Sequence, residues 1–209
     1  MKDLIVIGSG GHARSVIDAA MLSSQLNISG VLDIDFEEDT EEKILGVPVL
    51  GGMGFLKKIS PEKTAIFLAV GDNKIRKKIS QIVEGHGFKS VNIVHPQACV
   101  SKEALFGNGN FVGAFANVGP GVKVGNYCIL NTSSNLEHEV TVGNFCQFGP
   151  GAMVCGRSSI SDNVFVGAGG IVIDKISIPD EVVIGAGAVV TKNITNPNST
   201  YIGTPARKV

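Results

Sequence analysis

An apolar residue recurs at every sixth position of the chain between residues 100 and 190. The series consists of Val100, Phe106, Val112, Val118, Val124, Leu130, Leu136, Val142, Phe148, Val154, Ile160, Val166, Val172, Ile178, Ile184 and Val190. With 44% of the chain apolar, chance fills all sixteen positions with a probability of about two in a million. Neither a helix nor a flat strand has a period of six. A three-sided coil does, because each hexad supplies one short strand whose anchor residue points inward.

Three hexads close one coil of about 18 residues, so anchors 18 apart are predicted to stack, as in the series from Val100 through Val118 to Val190. Glycine often follows the anchor directly, and we expect it to adopt the unusual φ of the turn. Cys128 and Cys146, one coil apart, are predicted to be stacked core thiols. The repeat fails at residue 196 and returns at residue 202, where GTPAR predicts the terminal cap that a stack of coils needs.

The first 93 residues have the pattern of an α/β domain. Strands are predicted over residues 4–7, 30–32, 65–70 and 91–94. One helix is predicted from the spacing of Val16, Ile17, Ala20 and Met21, and another from that of Ile75, Ile79, Ile82 and Val83. We therefore predict a small doubly wound, Rossmann-like domain over residues 1–93 and a parallel β-helix with a C-terminal cap over residues 94–209.

Composition and charge exclude several classes of function. The formal net charge of -1 gives no reason to expect nucleic acid or an anionic membrane as a partner. No apolar run approaches a membrane span, and the apolar stretch near the start is too short for a secretory signal. The four cysteines form no C-x-x-C pair. We expect a cytoplasmic protein with reduced cysteines.

The sequence GSGGH at residues 8–12 lies between a predicted strand and a predicted helix. This arrangement directs backbone N–H groups at a phosphate, although a plain tight turn is the alternative. The spacing lacks the third glycine of a dinucleotide fingerprint, so a nucleotide diphosphate is easier to justify than NAD. Asp33 and Asp35 follow the second strand and are either strand-end caps or acceptors for a ribose or base. His12 either contacts the ligand or faces solvent.

The hexad at Leu136 departs from the repeat, because it reads Leu-Glu-His-Glu-Val-Thr with Glu137 where glycine usually stands. His138 is the one histidine of the repeat region, which excludes a three-histidine zinc site within one chain's coil, and we predict no metal. A neutral imidazole can accept a proton near pH 7, and a neighbouring carboxylate raises its basicity. Glu139 can supply that carboxylate only if the two residues sit at a corner of the coil. The alternative is a solvated surface histidine.

These stretches together resemble the hexapeptide-repeat nucleotide-sugar acetyltransferases, closest to the bacillosamine-type enzymes that acetylate the 4-amine of a UDP-linked 4-amino-4,6-dideoxy sugar. The resemblance rests on GSGGH (8–12), VLDID (31–35), VGDNKIRKKI (70–79), VHPQACVS (94–101), ILNTSSNLEHEVTVG (129–143) and IGTPAR (202–207). It implies a left-handed coil, acetyl-CoA as co-substrate, and a homotrimer with active sites between neighbouring subunits. The implied role is N-acetylation of a nucleotide-linked amino sugar in surface-glycan biosynthesis.

The resemblance also implies roles for particular residues. His138 falls on the family's catalytic base and Glu139 on the acid that raises its basicity. Positions implied to contact the nucleotide sugar are Gly10, Gly11, His12, Asp33, Ile34, Asp35 and Gly71. Close relatives carry two successive acids where this chain has Asp33-Ile34, with the second acid delayed to Asp35. Positions implied to contact acetyl-CoA are Gln147, Ala168 and Ala186, the latter two mainly through their backbone.

Two other functions are consistent with the sequence. One is O-acetylation of a sialic acid or a similar sugar, which sialic-acid O-acetyltransferase-like proteins would suggest. The other is a non-catalytic nucleotide-sugar-binding protein, which the unusual hexad at Leu136 argues against, since a pure scaffold gains nothing from it.

Overall fold

A computed structural model of the chain describes residues 3–23, 26–36 and 43–209. The chain divides into two compact units, Met1–Pro96 and Gln97–Val209. The boundary predicted from the sequence lies three residues earlier. No helix in the described ranges is long and apolar enough to cross a membrane.

The described part of the first unit is a twisted α/β sheet with helices. Its elements are β1 (Asp3–Ile7), α1 (Gly11–Met21), β2 (Asn27–Leu32), β3 (Lys43–Ile44), β4 (Val47–Gly51), a 3-10 helix (Met53–Lys58), β5 (Thr64–Leu68), α2 (Asn73–Gly85), β6 (Lys89–Ser90) and β7 (Ile93–Val94). Six of these strands form a sheet in the order β3-β4-β2-β1-β5-β6. The pairs are parallel except for β3 with β4. The last strand of this sheet is β6, and the strand predicted over residues 91–94 is confirmed only in its second half, as β7 (Ile93–Val94), which is not part of this sheet.

Both predicted helices of the first unit are present, but only some of the apolar residues that predicted them are buried. In α1, Val16, Ile17 and Ala20 are buried, whereas Met21 is 51% exposed. In α2, Ile79 and Val83 are buried, while Ile75 and Ile82 are each 45% exposed. Helix α2 also buries two polar side chains, Arg76 at 1% exposure and Ser80 at 2%. A spacing of apolar residues thus located both helices but did not identify every inward side chain.

The second unit, described throughout, is a three-sided parallel β-helix. Its two-residue strands are β8 (Cys99–Val100), β9 (Leu105–Phe106), β10 (Phe111–Val112), β11 (Asn117–Val118), β12 (Lys123–Val124), β13 (Ile129–Leu130), β14 (Asn135–Leu136), β15 (Thr141–Val142), β16 (Gln147–Phe148), β17 (Met153–Val154), β18 (Ser159–Ile160), β19 (Phe165–Val166), β20 (Ile171–Val172), β21 (Ser177–Ile178), β22 (Val183–Ile184) and β23 (Val189–Val190). Each strand ends in one of the predicted anchors. Strands three apart pair in parallel, so that Val118 lies opposite Leu136 and Leu136 opposite Val154.

The predicted core of the coil is confirmed. The anchors from Val112 to Val190 are buried, and Val100 and Phe106 pack against them partly exposed. Cys128 and Cys146 are fully buried in the same core. Their thiols donate weak hydrogen bonds to backbone carbonyl oxygens one coil further along.

The predicted role of the glycine after the anchor is wrong. The positive φ falls three residues after each anchor from Phe106 to Ile184, for example at Phe115, Ser133, Glu139 and Arg157, where φ lies between 57° and 61°. The glycines directly after the anchors serve close packing between coils instead. A Cβ at Gly167 would lie 2.6 Å from the backbone N of Ala186, and one at Gly149 would lie 2.7 Å from that of Ala168. Only glycine fits there because the backbone of the next coil occupies the space.

One corner of the coil carries a ladder of side-chain amides and carboxylates at 18-residue steps: Asn108, Asn126, Asn144, Asp162 and Asp180. From Asn126 onward, a side-chain oxygen of each residue accepts a hydrogen bond from the backbone N–H of the ladder residue one coil earlier, at 2.7–2.9 Å. The far end of the coil is closed by β24 (Thr200–Ile202), which pairs with β22, and by β25 (Arg207–Lys208), antiparallel to β24. This hairpin is the predicted terminal cap.

Candidate active site

The carboxyl ends of β1, β2 and β5 meet at one edge of the sheet and enclose a pocket of about 380 Å³. Strand β1 lies between β2 and β5, so the order of the strands reverses at β1. Open α/β sheets bind ligands in the crevice beside such a reversal, at the carboxyl ends of the strands. The lining residues are Gly8, Ser9, Gly10, Gly11, His12, Asp33, Ile34, Asp35, Ala69, Val70 and Gly71. The structure therefore brings all seven predicted nucleotide-sugar contacts into one cavity.

Helix α1 begins at the wall of this pocket. Its N-cap is Gly10, whose hydrogen atom cannot cap the first N–H groups as a polar side chain would. A Cβ added at Gly10 or Gly11 would have no heavy atom within 4 Å among the described residues, so both positions leave open space. Gly8 is constrained differently, because it has φ +114° and a Cβ there would lie 2.7 Å from the carbonyl O of Ala69. The turn thus presents a helix N-terminus to an open cavity, an arrangement suited to an anion.

His12 lines the pocket beside this helix N-terminus, and the buried Arg76 lies near enough for its charge to act on His12. Burial, and secondarily the charge of Arg76, lowers the pKa of His12 to about 4. His12 is therefore a neutral hydrogen-bonding group at pH 7. The guanidinium of Arg76 donates to the carbonyl O of Val70 at 2.8 Å, to that of Gly71 at 3.0 Å, and to Asn73 Oδ1 at 2.7 Å. It holds the loop after β5 in place against the pocket.

Asp33 has a position consistent with both of the roles that the sequence left open. Its Oδ1 accepts a hydrogen bond from the backbone N–H of Asp35 at 3.2 Å, which is the cap of its own turn. Both residues also line the pocket, together with the exposed Ile34. One oxygen of Asp33 serves the turn, and its other oxygen has no hydrogen-bond donor in the described residues.

A second cavity, of about 430 Å³, lies at a corner of the coil. It is lined by Glu103, Pro120, Gly121, His138, Glu139 and Arg157. Glu139 has φ +58° at that corner, and this backbone turn lets two consecutive side chains meet. The Nδ1 of His138 lies 3.5 Å from Oε2 of Glu139, with the two side chains 53% and 54% exposed. One nitrogen of the imidazole therefore faces a carboxylate, and the half-exposed ring is open to a ligand.

Arg157 completes this group and was not identified from the sequence. Its Nε donates to Oε2 of Glu139, the same oxygen that faces His138. The hydrogen bond from Arg157, followed by its charge, holds the pKa of Glu139 below its ordinary value, so the carboxylate stays ionised. The signal that could have found Arg157 is its position, one 18-residue coil after Glu139.

Gly156 was missed in the same way, and it lies one coil after His138. A Cβ at Gly156 would lie 2.4 Å from Cε1, 2.5 Å from Nε2 and 3.0 Å from Nδ1 of the His138 ring. The ring thus rests against the backbone of Gly156. The glycine provides the space that sets the position of the imidazole.

The three residues implied for acetyl-CoA lie on one side of the coil. Gln147 opens β16, while Ala168 and Ala186 follow the ends of β19 and β22, which are successive strands of the same sheet. Both alanines are exposed. No hydrogen-bond acceptor for the N–H of Ala168 or Ala186 is present in the described part of the chain. At the ladder corner the equivalent N–H groups are bonded to Asn and Asp side chains, so the corner with the two alanines differs from the ladder corner in offering free donors.

Among residues 3–23, 26–36 and 43–209, no group of three or more His, Cys, Asp or Glu side chains is arranged to hold a metal ion.

The first unit is Rossmann-like and has a pocket suited to a phosphate group. The second is a hexapeptide-repeat coil with a histidine–glutamate pair. This combination is typical of hexapeptide-repeat transferases that have a nucleotide-binding domain. Comparison with known proteins agrees. Residues 3–83 match the family described as the PglD N-terminal domain. The chain is 30% identical over 114 residues to UDP-N-acetylbacillosamine N-acetyltransferase of Bacillus subtilis (strain 168), covering 54% of this chain and 51% of that protein. The chain spans about a quarter to just over half of the length of the curated relatives it matches.

Solved structures match along the whole chain, as two examples show. A mutant of perosamine N-acetyltransferase from Caulobacter crescentus, in complex with CoA and GDP-perosamine, has a TM-score of 0.92 and 30% identity, covering 100% of this chain and 97% of that chain. The acetyltransferase domain of PglB from Neisseria gonorrhoeae FA1090, in complex with acetyl coenzyme A, has a TM-score of 0.90 and 31% identity, covering 100% and 99%. The chain belongs to the family of hexapeptide-repeat nucleotide-sugar acetyltransferases. Its predicted fold class, a Rossmann-like domain followed by a left-handed parallel β-helix, is confirmed.

Proposed function

We propose that this protein transfers an acetyl group from acetyl-CoA to the amine of a nucleotide-linked amino sugar, the 4-amine of a 4-amino-4,6-dideoxy sugar in our preferred form. The observation that carries the proposal is the His138–Glu139 pair at an open corner of the coil, in a chain that also has a nucleotide-type pocket. The similarity to structures that hold CoA, acetyl coenzyme A and GDP-perosamine supports the same substrates here.

The first pocket is proposed to hold the nucleotide diphosphate. The N-terminus of α1 at Gly11 and the neutral ring of His12 offer hydrogen bonds to phosphate oxygens. The carboxylate of Asp33 offers an acceptor for the nucleoside. Relatives are named for UDP-linked and for GDP-linked sugars. A carboxylate can accept a hydrogen bond from a ribose hydroxyl of either nucleotide, so UDP-linked and GDP-linked sugars are both candidate substrates.

At the corner of the coil, His138 is proposed to act as the general base. With Nδ1 facing Glu139, Nε2 is the nitrogen left to take a proton from the attacking amine. Glu139 orients the ring and stabilises the imidazolium that forms. The 3.5 Å separation exceeds the usual hydrogen-bond range, and we expect it to shorten when the imidazole becomes charged. Acetyl-CoA supplies the thioester carbon; the new C–N bond replaces the C–S bond, and the proton taken from the amine ends on the CoA thiol.

Acetyl-CoA is proposed to lie along the side of the coil that carries Gln147, Ala168 and Ala186. The exposed N–H groups of the two alanines can donate to the amide carbonyls of an extended pantetheine arm. Because the alanines are 18 residues apart, they present donors at successive coils, which suits an extended chain. The small side chains keep the approach open.

The assembly is proposed to be the homotrimer that the resemblance implies, working in the cytoplasm, where both substrates are available. A solution mass three times that of the 21.8 kDa chain, measured by light scattering, would support it. A monomeric mass at assay concentration, together with full activity, would contradict it.

The test is a panel of UDP- and GDP-linked amino sugars, with a matched hydroxyl sugar, assayed with acetyl-CoA by mass spectrometry of the product. Acetylation of an amine acceptor is expected, and His138→Ala should lower kcat about 10²- to 10⁴-fold with KM little changed. His86→Ala, at an exposed histidine of the first unit, is the control and should keep full activity. Acetylation of the hydroxyl acceptor alone would favour the O-acetyltransferase. Nucleotide binding without any transfer would leave the non-catalytic binding protein.

A further inference from the structure

The corner column that holds Glu139 has an unusual run of charges. Residues at 18-residue steps along this corner are Glu103, Gly121, Glu139, Arg157 and Lys175. Of the two cations, Arg157 bonds the carboxylate of Glu139 and lines the cavity, whereas Lys175 lies one coil further and does not line it. The column therefore contains one cation in contact with the histidine–glutamate pair and one similar cation outside it.

The side chain of Glu139 is 54% exposed, so it could adopt several rotamers in solution. Arg157 donates to the oxygen that faces Nδ1 of His138. A carboxylate held at that oxygen can orient the imidazole, whereas a freely rotating one would do so for only part of the time.

We propose that Arg157 is a positioning residue, which fixes the Glu139 carboxylate beside His138 and so keeps the imidazole directed at the acceptor. This inference rests on the proposed function for its catalytic consequence. Arg157 acts through Glu139 and does not itself contact the reacting atoms. An alternative is that Arg157 binds an anionic group of a substrate directly, since it lines the same cavity.

A double-mutant cycle with Glu139 separates these two roles. Arg157→Ala should lower kcat about three- to fivefold with KM for both substrates unchanged; the effect is modest because exposed ion pairs contribute little. Arg157→Lys should recover part of the loss, since it keeps a donor and a charge. In a Glu139→Gln background, Arg157→Ala should cause no further loss, because the group that Arg157 positions is already altered.

The control is Lys175→Ala. Lys175 has φ +60° and Arg157 has φ +61°. Each variant therefore replaces a cationic side chain with alanine at an equivalent, strained corner of the coil. Lys175→Ala should leave kcat and KM unchanged. An equal loss in both variants would mean that the corner backbone, and not the contact with Glu139, is responsible.

An NMR measurement tests the contact without any turnover. The Nε–H of Arg157 should exchange with water more slowly than that of the exposed Arg207, and Glu139→Gln should remove the difference. A chain that shows this protection but acetylates no acceptor would refute the proposed function and leave the positioning contact intact. A raised KM, a loss that persists in the Glu139→Gln background, or unprotected exchange would each overturn the inference.

Discussion

Gly156→Ala should damage catalysis without damaging the fold. The added Cβ would lie 2.4 Å from Cε1 of His138, whereas carbon atoms in contact are about 3.5–4.0 Å apart. The imidazole must therefore move by about 1 Å. A displacement of that size at a reacting group can cost about 100-fold in rate, so we expect kcat to fall about 100-fold with KM little changed.

The fold should tolerate this substitution because the backbone at this place in the hexad already accepts alanine. Ala168 and Ala186 both stand two residues after their anchors, as Gly156 does. The atoms that block the new Cβ belong to a half-exposed side chain, which has solvent on one side into which it can be displaced. The free energy of unfolding, measured by denaturant titration, should change by no more than about 1 kcal/mol.

The assay is steady-state kinetics on the single variants Gly156→Ala and His138→Ala and on the double variant. With the ring absent there is nothing for the Cβ to displace, so the double variant should have the same residual rate as His138→Ala alone. A kcat for Gly156→Ala within threefold of the wild type would refute the reasoning. So would a further loss of rate in the double variant.

Two other predictions concern the side of the coil and the first pocket. Ala168→Pro removes one of the two proposed N–H donors. The backbone should accept proline there, because Pro120 and Pro150 occupy the same place in their hexads as Ala168. KM for acetyl-CoA should rise up to about tenfold, whereas Ala168→Ser, which keeps the N–H, should leave it unchanged. His12 has a folded pKa of about 4 against 6.5 for the free group, so its contribution to stability is complete above about pH 6.5 and is lost as pH falls toward 4. The loss should be on the order of 3 kcal/mol. His12→Gln should flatten this part of the pH–stability curve, and an unchanged slope would contradict the burial argument.

The repeat of the second unit could be predicted almost residue by residue. Each anchor residue can be recognised locally, and the same spacing repeats in every coil. Both the strands and their 18-residue register therefore followed from the spacing. The error concerned glycine. Its place after the anchor was attributed to backbone conformation, but Gly149 and Gly167 are required by the backbone of the next coil, a contact between residues 18 or 19 apart.

The same kind of contact explains why Gly156 and Arg157 were missed. Each acts on a residue one coil earlier, His138 and Glu139, and neither has a local motif. Adding 18 to the number of the candidate base would have located the glycine beneath it. Sequence spacing thus located the chemistry but not the residues that support it from neighbouring coils.

The first unit was less predictable because its helices depend on non-local packing. The spacing of Ile75, Ile79, Ile82 and Val83 located α2, but the buried Arg76 on the same helix had no apolar signal. Its function, to bind the carbonyl groups of the loop after β5, requires knowledge of where that loop lies. The glycine turn, Asp33 and Asp35 were found nonetheless, since they follow predicted strands, whereas Ile34 and Gly71 were implied by the resemblance.

The most direct test of the account is a crystal structure of the protein with CoA and a nucleotide-linked amino sugar. We expect the acceptor amine within about 2.6–3.2 Å of Nε2 of His138 and the diphosphate at the N-terminus of α1. An acceptor bound in hydrogen-bond contact with neither His138 nor a water molecule held by it would contradict the account.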